Sequence, residues 1–135
     1  MRVLAAGLLL LLMVFLGGCN AIPQGTNLVA AADGNYHVGM TDQFTFDPVE
    51  AIIPVGATVA WDNDAGVLHD VAGYKGDPIK DDTTQFSSSR DPPEGFGRPM
   101  QPGESFQHTF PEKGTWTIWC HTHHEYDMKM VLHVV

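Results

Sequence analysis

The chain is poor in basic residues and in cysteine. Seven Lys+Arg stand against 16 Asp+Glu in 135 residues, a formal net charge of −9. So acidic a chain offers no general attraction to phosphate backbones, and nucleic acid is not an expected partner. Two cysteines allow at most one disulfide, which excludes a small fold stapled by several. No segment holds helical apolar spacing over three turns, which argues against a helical bundle. The single long apolar run lies at the N-terminus, where Val3 to Gly18 carries no charge and includes the leucine block Leu8–Leu12. It falls short of the ~20 residues that a spanning helix needs.

A basic start at Arg2, an apolar middle and small residues at the end describe a secretory signal peptide over residues 1–18. Leu16-Gly17-Gly18-Cys19 resembles the lipobox of prokaryotic lipoproteins, which implies a diacylglycerol on the sulfur of Cys19. An ordinary signal peptide or an uncleaved anchor is the alternative. In either case the folded part is expected to be extracytoplasmic, lipid-anchored to the outer face of the cytoplasmic membrane or periplasmic. Removing residues 1–18 takes away Arg2 and no acidic residue, so the remainder is more acidic still. Residues 19–35, with Pro23, Gly25 and Gly34 and few large side chains, read as a tether.

From Tyr36 onward the pattern is β. Phe44-Thr45-Phe46 and Ala51-Ile52-Ile53 are short apolar runs that Pro48 and Pro54 confine to strand ends or edges. Val55 to Trp61 alternates, which puts Val55, Ala57, Val59 and Trp61 on one face. Phe106, His108 and Phe110 alternate in the same way. Lys113-Gly114 marks a turn before Thr115–Cys120, and the chain ends in Met130–Val135. Short strands punctuated by turns point to an all-β Greek-key sandwich of about seven to eight strands over residues 36–135. Residues 73–103, with five prolines and Ser87-Ser88-Ser89, read as a long surface loop with a short strand or turn near Ile79 or Phe86. Trp61, Trp116 and Trp119 are expected in the core.

The chemistry concentrates in Trp119-Cys120-His121-Thr122-His123-His124-Glu125-Tyr126-Asp127-Met128. A thiolate, an imidazole three residues on and a thioether five further on all come from one interstrand loop. Soft sulfur combined with imidazole selects copper, notably a trigonal His₂Cys site with a weak axial Met. A short loop suits such a site because few degrees of freedom remain to be frozen when the metal arrives. A second His must come from elsewhere, and His69 is the best placed, after the turn Asp62–Leu68 that follows the Trp61 strand. His124, four residues from Cys120, rivals His123. His121 and His124 with Glu125 or Asp127 could hold a second metal, but read as exposed loop residues. His37, His108 and His133 read as surface or structural histidines. A disulfide between Cys19 and Cys120 is not expected, since each belongs to a separate motif.

These segments resemble the cupredoxins, above all the plastocyanin and halocyanin branch. That branch carries Cys-x-x-His-x-x-x-x-Met, matched by Cys120, His123 and Met128, and an Asn-rich turn ending in His, matched by Asn63 to His69. Phe46-Asp47-Pro48, Val55 to Trp61, Pro102 to Phe106 and Phe110 to Trp116 frame these motifs as the family's strands do. The resemblance implies a mononuclear type 1 copper held by His69, Cys120, His123 and Met128, and selects His123 over His124. It implies an electron carrier and no enzyme, a monomer shuttling between redox protein donor and acceptor partners at a membrane. A copper-binding or delivery protein without redox traffic is the second reading.

The chain departs from the family pattern in three places. Thr122 stands where the family usually has Pro, which predicts a less stiff loop. Asp70 stands where Asn is common, and a carboxylate there is expected to favour Cu(II) and lower the potential. Met130 replaces a frequent Gly and brings a second thioether near the axial position, with Met128 preferred by its offset.

Overall fold

The computed structural model describes residues 22–76, 86–88 and 99–135, so the signal-peptide and Cys19 readings lie outside the described residues. The elements in chain order are β1 (Thr26–Asn27), β2 (Tyr36–Met40), β3 (Phe46–Asp47), β4 (Glu50–Ile53), β5 (Thr58–Asn63), β6 (Ala72–Lys75) and β7 (Phe86–Ser87). There follow β8 (Ser105–Thr109), β9 (Gly114–Trp119), a 3₁₀-helix (His121–Tyr126) and β10 (Lys129–Val134). One sheet runs β1-β4-β10-β9-β6-β7 and the other β3-β2-β5-β8. The all-β sandwich expected from the sequence is therefore present. It has more strands than expected because β1, β3 and β7 are two residues each, too short to show alternation.

Period-two patterning explains the core. Trp116 and Ile118 face inward from β9, and Met130, Leu132 and Val134 from β10. They meet Val38, Met40, Phe46, Val59 and Trp61 from the facing sheet. The prolines act as the sequence suggested: β3 stops before Pro48 and β4 before Pro54.

Several expectations are corrected. Val55 does not share the inward face, because a turn in which Ala57 N–H donates to the Pro54 carbonyl delays β5 until Thr58 and leaves Val55 exposed. Trp119 has the opposite parity to Trp116 and is half-buried, with the Lys129 ammonium 5.1 Å from its ring centroid. β6 takes the first residues of the span read as a loop from residue 73, while the short strand expected near Phe86 is present as β7 and pairs with β6. Ala72-Gly73-Tyr74-Lys75 has no alternation to announce a strand.

The segment read as a tether also joins the sandwich. β1 pairs parallel with β4, and Leu28 packs on the core. Gly25 permits this approach: its φ is +126°, and a Cβ there would meet the Glu50 backbone at 3.0 Å. Just past the segment, in β2, His37 Nδ1 lies 2.6 Å from an Asp62 carboxylate oxygen and Nε2 lies 3.1 Å from one of Asp33. The Asp62 hydrogen bond, then the Asp33 one, raises the His37 pKa above its usual value. A raised folded-state value means stabilisation fully present below the unfolded pKa of about 6.5 and lost as pH rises through the folded one. His37→Ala is thus expected to lower the melting temperature at pH 5.5 but hardly at pH 9. An exposed pair of this kind should shift it by no more than about 4 °C. Equal shifts at both pH values would remove the charged clasp from the account.

Candidate metal centre

Strand parity delivers the thiol. Trp116 and Ile118 point inward from β9, so Cys120, two residues on, does too, and its exposure is 0%. Met128 is opposite Cys120 across the β9–β10 ladder: the Cys120 N–H donates to the Met128 carbonyl at 3.0 Å. Its side chain is buried at the foot of the same loop. Between them the 3₁₀-helix carries His123 and closes at Asp127, whose left-handed backbone (φ 55°) lets its N–H reach the His124 carbonyl.

His69 comes from the β5–β6 connection, which buried Asn63 organises. Asn63 Nδ2 donates to the carbonyls of Val67 (2.9 Å) and Met100 (3.0 Å), and its Oδ1 accepts from Ala65 N–H. The backbones of His69 and Met100 then pair in both directions. The sequence offered Asn63 only as the start of a turn, because its partner at Met100 lies far along the chain.

Among the described residues, one group of His, Cys, Asp or Glu donors is close enough to share an ion: His69, Cys120 and His123. Cys120 Sγ is 3.6 Å from His69 Nδ1 and 3.6 Å from His123 Nδ1, and the two Nδ1 atoms are 3.1 Å apart. The centre of that triangle is about 2.0 Å from each corner, within the range of ~2.0–2.3 Å for nitrogen and sulfur bonds to a first-row metal. His69 Nε2 lies 3.1 Å from the Thr41 carbonyl, which can only accept. Nε2 therefore carries the proton, and Nδ1 presents its lone pair to the triangle. Burial, and then the charge of His123, keeps the His69 pKa below its usual value, which favours the neutral ligand form.

Burial, reinforced by the negative charge of Asp70, pushes the Cys120 thiol up to about 11. A metal must therefore displace its proton. The Asp70 N–H donates to Sγ at 3.4 Å. The Asp70 carboxylate accepts the N–H of His121 (2.9 Å) and both the N–H and hydroxyl of Thr122 (2.6 Å each). Burial opposes the charge of Asp70, yet the His121 side chain, its Nδ1 3.6 Å from a carboxylate oxygen, and then these hydrogen bonds outweigh it and hold the carboxyl below the usual range.

The other candidates fall outside the triangle. His124 is exposed, with Nδ1 3.0 Å from the His121 carbonyl. His121 Nε2 lies 2.9 Å from the Tyr74 hydroxyl. Met130 pairs with Ile118 and points into the core with Leu132. His133 lies 2.9 Å from a Glu50 carboxylate oxygen, and His108 packs edge-on against Phe110. Sequence reasoning missed Phe44, taken as a strand residue, whose ring contacts His123.

Solved structures share the fold. A purple cupredoxin from Nitrosopumilus maritimus is 23% identical, matching 73% of this chain and 98% of its own with a TM-score of 0.57. Auracyanin from Roseiflexus castenholzii is 21% identical over 73% of this chain and 94% of its own, with a TM-score of 0.52. A mutant fern plastocyanin is 18% identical over 73% and 99%, with a TM-score of 0.57. No curated protein matches the chain in sequence. The family model of copper binding proteins, plastocyanin/azurin family, matches residues 32–135. With its His69–Cys120–His123 copper site, the chain belongs to that family, the cupredoxins.

Proposed function

We propose that the chain carries single electrons on one copper ion between redox proteins at a membrane surface, and performs no catalysis of its own. The observation that carries this is the triangle of two imidazole nitrogens and one thiol sulfur in a buried, prearranged site. Bound there, copper supplies a one-electron couple between Cu(I) and Cu(II). The protein supplies the frame. Cys120 would give the thiolate, His69 is fixed through Thr41, and Met128, buried at the foot of the loop, would add a thioether donor. His123 is the one of the three grouped donors that reaches the surface, and so the point of electron exit. A site anchored by backbone bonds on both loops changes little on reduction, as fast outer-sphere transfer requires.

The extracytoplasmic setting, with Cys19 as lipid attachment, rests on the lipobox-like sequence. Among the described residues, no helix is long and apolar enough to cross a membrane. The acidic composition suits redox partners with basic docking patches.

Cu(II) added to the purified chain should give an intense thiolate-to-copper band that ascorbate bleaches and oxidation restores. His123→Ala should remove or strongly shift the band, and His124→Ala should leave it nearly intact. A colourless complex would sink the carrier and favour copper delivery.

A further inference from the structure

We propose that Phe44 is a positioning residue for His123, holding the imidazole from outside so that Nδ1 stays on the donor triangle. The inference rests on the copper reading above. Phe44 has φ 57°, a left-handed backbone that bulky side chains rarely adopt and that persists only where the surroundings impose it. The turn Thr41–Thr45 imposes it. Thr41 N–H donates to the Thr45 carbonyl at 3.0 Å, Phe44 N–H donates to the Thr41 carbonyl at 3.1 Å, and the two threonine hydroxyls are 2.8 Å apart.

The result is a ring aimed at a ligand. The Phe44 and His123 centroids are 4.4 Å apart with planes tilted by 33°. Tyr126 stacks on Phe44 at 4.4 Å and lies 6.2 Å from His123, so the three rings form a triangle at the site. The same turn reaches the other histidine. The Thr41 carbonyl faces His69 Nε2, and the Asp42 carboxylate accepts the N–H of Gly66 in the His69 loop at 2.8 Å. One short turn thus braces both imidazoles, by a hydrogen bond on one and by a ring on the other.

His123 needs such a brace. Its backbone (φ −125°, ψ 34°) departs from the surrounding 3₁₀-helix, and it is less buried than His69 or Cys120. An imidazole with an open edge is the ligand freest to swing away, and contact with Phe44 and Tyr126 opposes that motion.

The test follows copper release from the loaded chain to an excess of chelator, beside the melting temperature of each metal-free variant. Phe44→Leu should release copper about tenfold faster, and Phe44→Tyr should stay within about twofold of wild type. Phe44→Gly, which takes the left-handed φ without strain, should melt no lower than Phe44→Leu yet release copper as fast. Release from Phe44→Leu at the wild-type rate overturns the proposal. So does faster release in Leu and Tyr alike, in step with lowered melting, which would mark Phe44 as packing alone. If the wild-type chain gives no thiolate–copper band, the copper reading fails and takes this inference with it. A normal wild-type band with an unaffected Leu variant removes only the inference.

Discussion

Cys120→Ser is expected to abolish the visible band of the copper-loaded chain and to weaken copper binding by more than about 100-fold, beyond what loss of an outer-shell contact costs. The sulfur stands at one corner of the donor triangle, 3.6 Å from both Nδ1 atoms, and the band arises from charge transfer out of a thiolate. A serine hydroxyl is a harder donor and stays protonated at any working pH, so neither the bond nor the transition survives. The apo fold should survive. Cys120 directly follows β9, its N–H bond to the Met128 carbonyl is untouched, and the Asp70 N–H can donate to oxygen as it does to sulfur. The melting temperature of the metal-free variant should therefore change by no more than about 5 °C. A band that persists in the serine variant would place the colour, and the metal, somewhere else.

The parts of the site that were legible in the sequence are those whose geometry is local. Cys120 and His123 sit on one short loop, so their spacing carries most of the information about their contact. His69 was legible because it ends a turn after a strand of clear alternation. Contacts set by distant pairing were not legible. Thr26–Asn27 shows no pattern of its own and becomes a strand only because the β4 edge accepts it. Phe44 reads as a strand residue in Phe44-Thr45-Phe46, and its left-handed φ is visible only once the Thr41–Thr45 turn has formed. Asn63 and Met100 meet through a hydrogen bond across a span with no readable pattern. The alternation rule failed at Val55, where a turn shifted the start of β5; at Trp119 it held, and the expectation of a core tryptophan failed because parity outweighed hydrophobicity.

Asp70→Asn is expected to raise the midpoint potential of the copper centre by on the order of 50–100 mV. An Asp70 carboxylate oxygen lies 3.8 Å from Cys120 Sγ, and its charge favours the more positive copper state. A unit charge ~6 Å from the metal in an effective dielectric of ~20 contributes ~3 kcal/mol, and buried hydrogen bonds that share the charge reduce it. At 59 mV per ~1.4 kcal/mol for one electron, the remainder falls in the stated range. Asparagine keeps the shape and one acceptor oxygen, so a potential that stays level or falls would show that the charge is neutralised by its hydrogen-bond donors. Those donors give Asp70 a second duty. Thr122 offers both an N–H and a hydroxyl to the carboxylate, and Pro at that position could offer neither. The loop that lacks proline is thus held by hydrogen bonds to a buried charge. Thr122→Pro should consequently destabilise the wild-type chain, by about 2–4 kcal/mol, although the ring stiffens the backbone. The same substitution made on Asp70→Asn should cost distinctly less, because the carboxylate that demanded the donors is gone. Potentials and melting curves of the two single variants and the double variant measure both duties at once, and an additive cycle would show that Asp70 does not hold the loop.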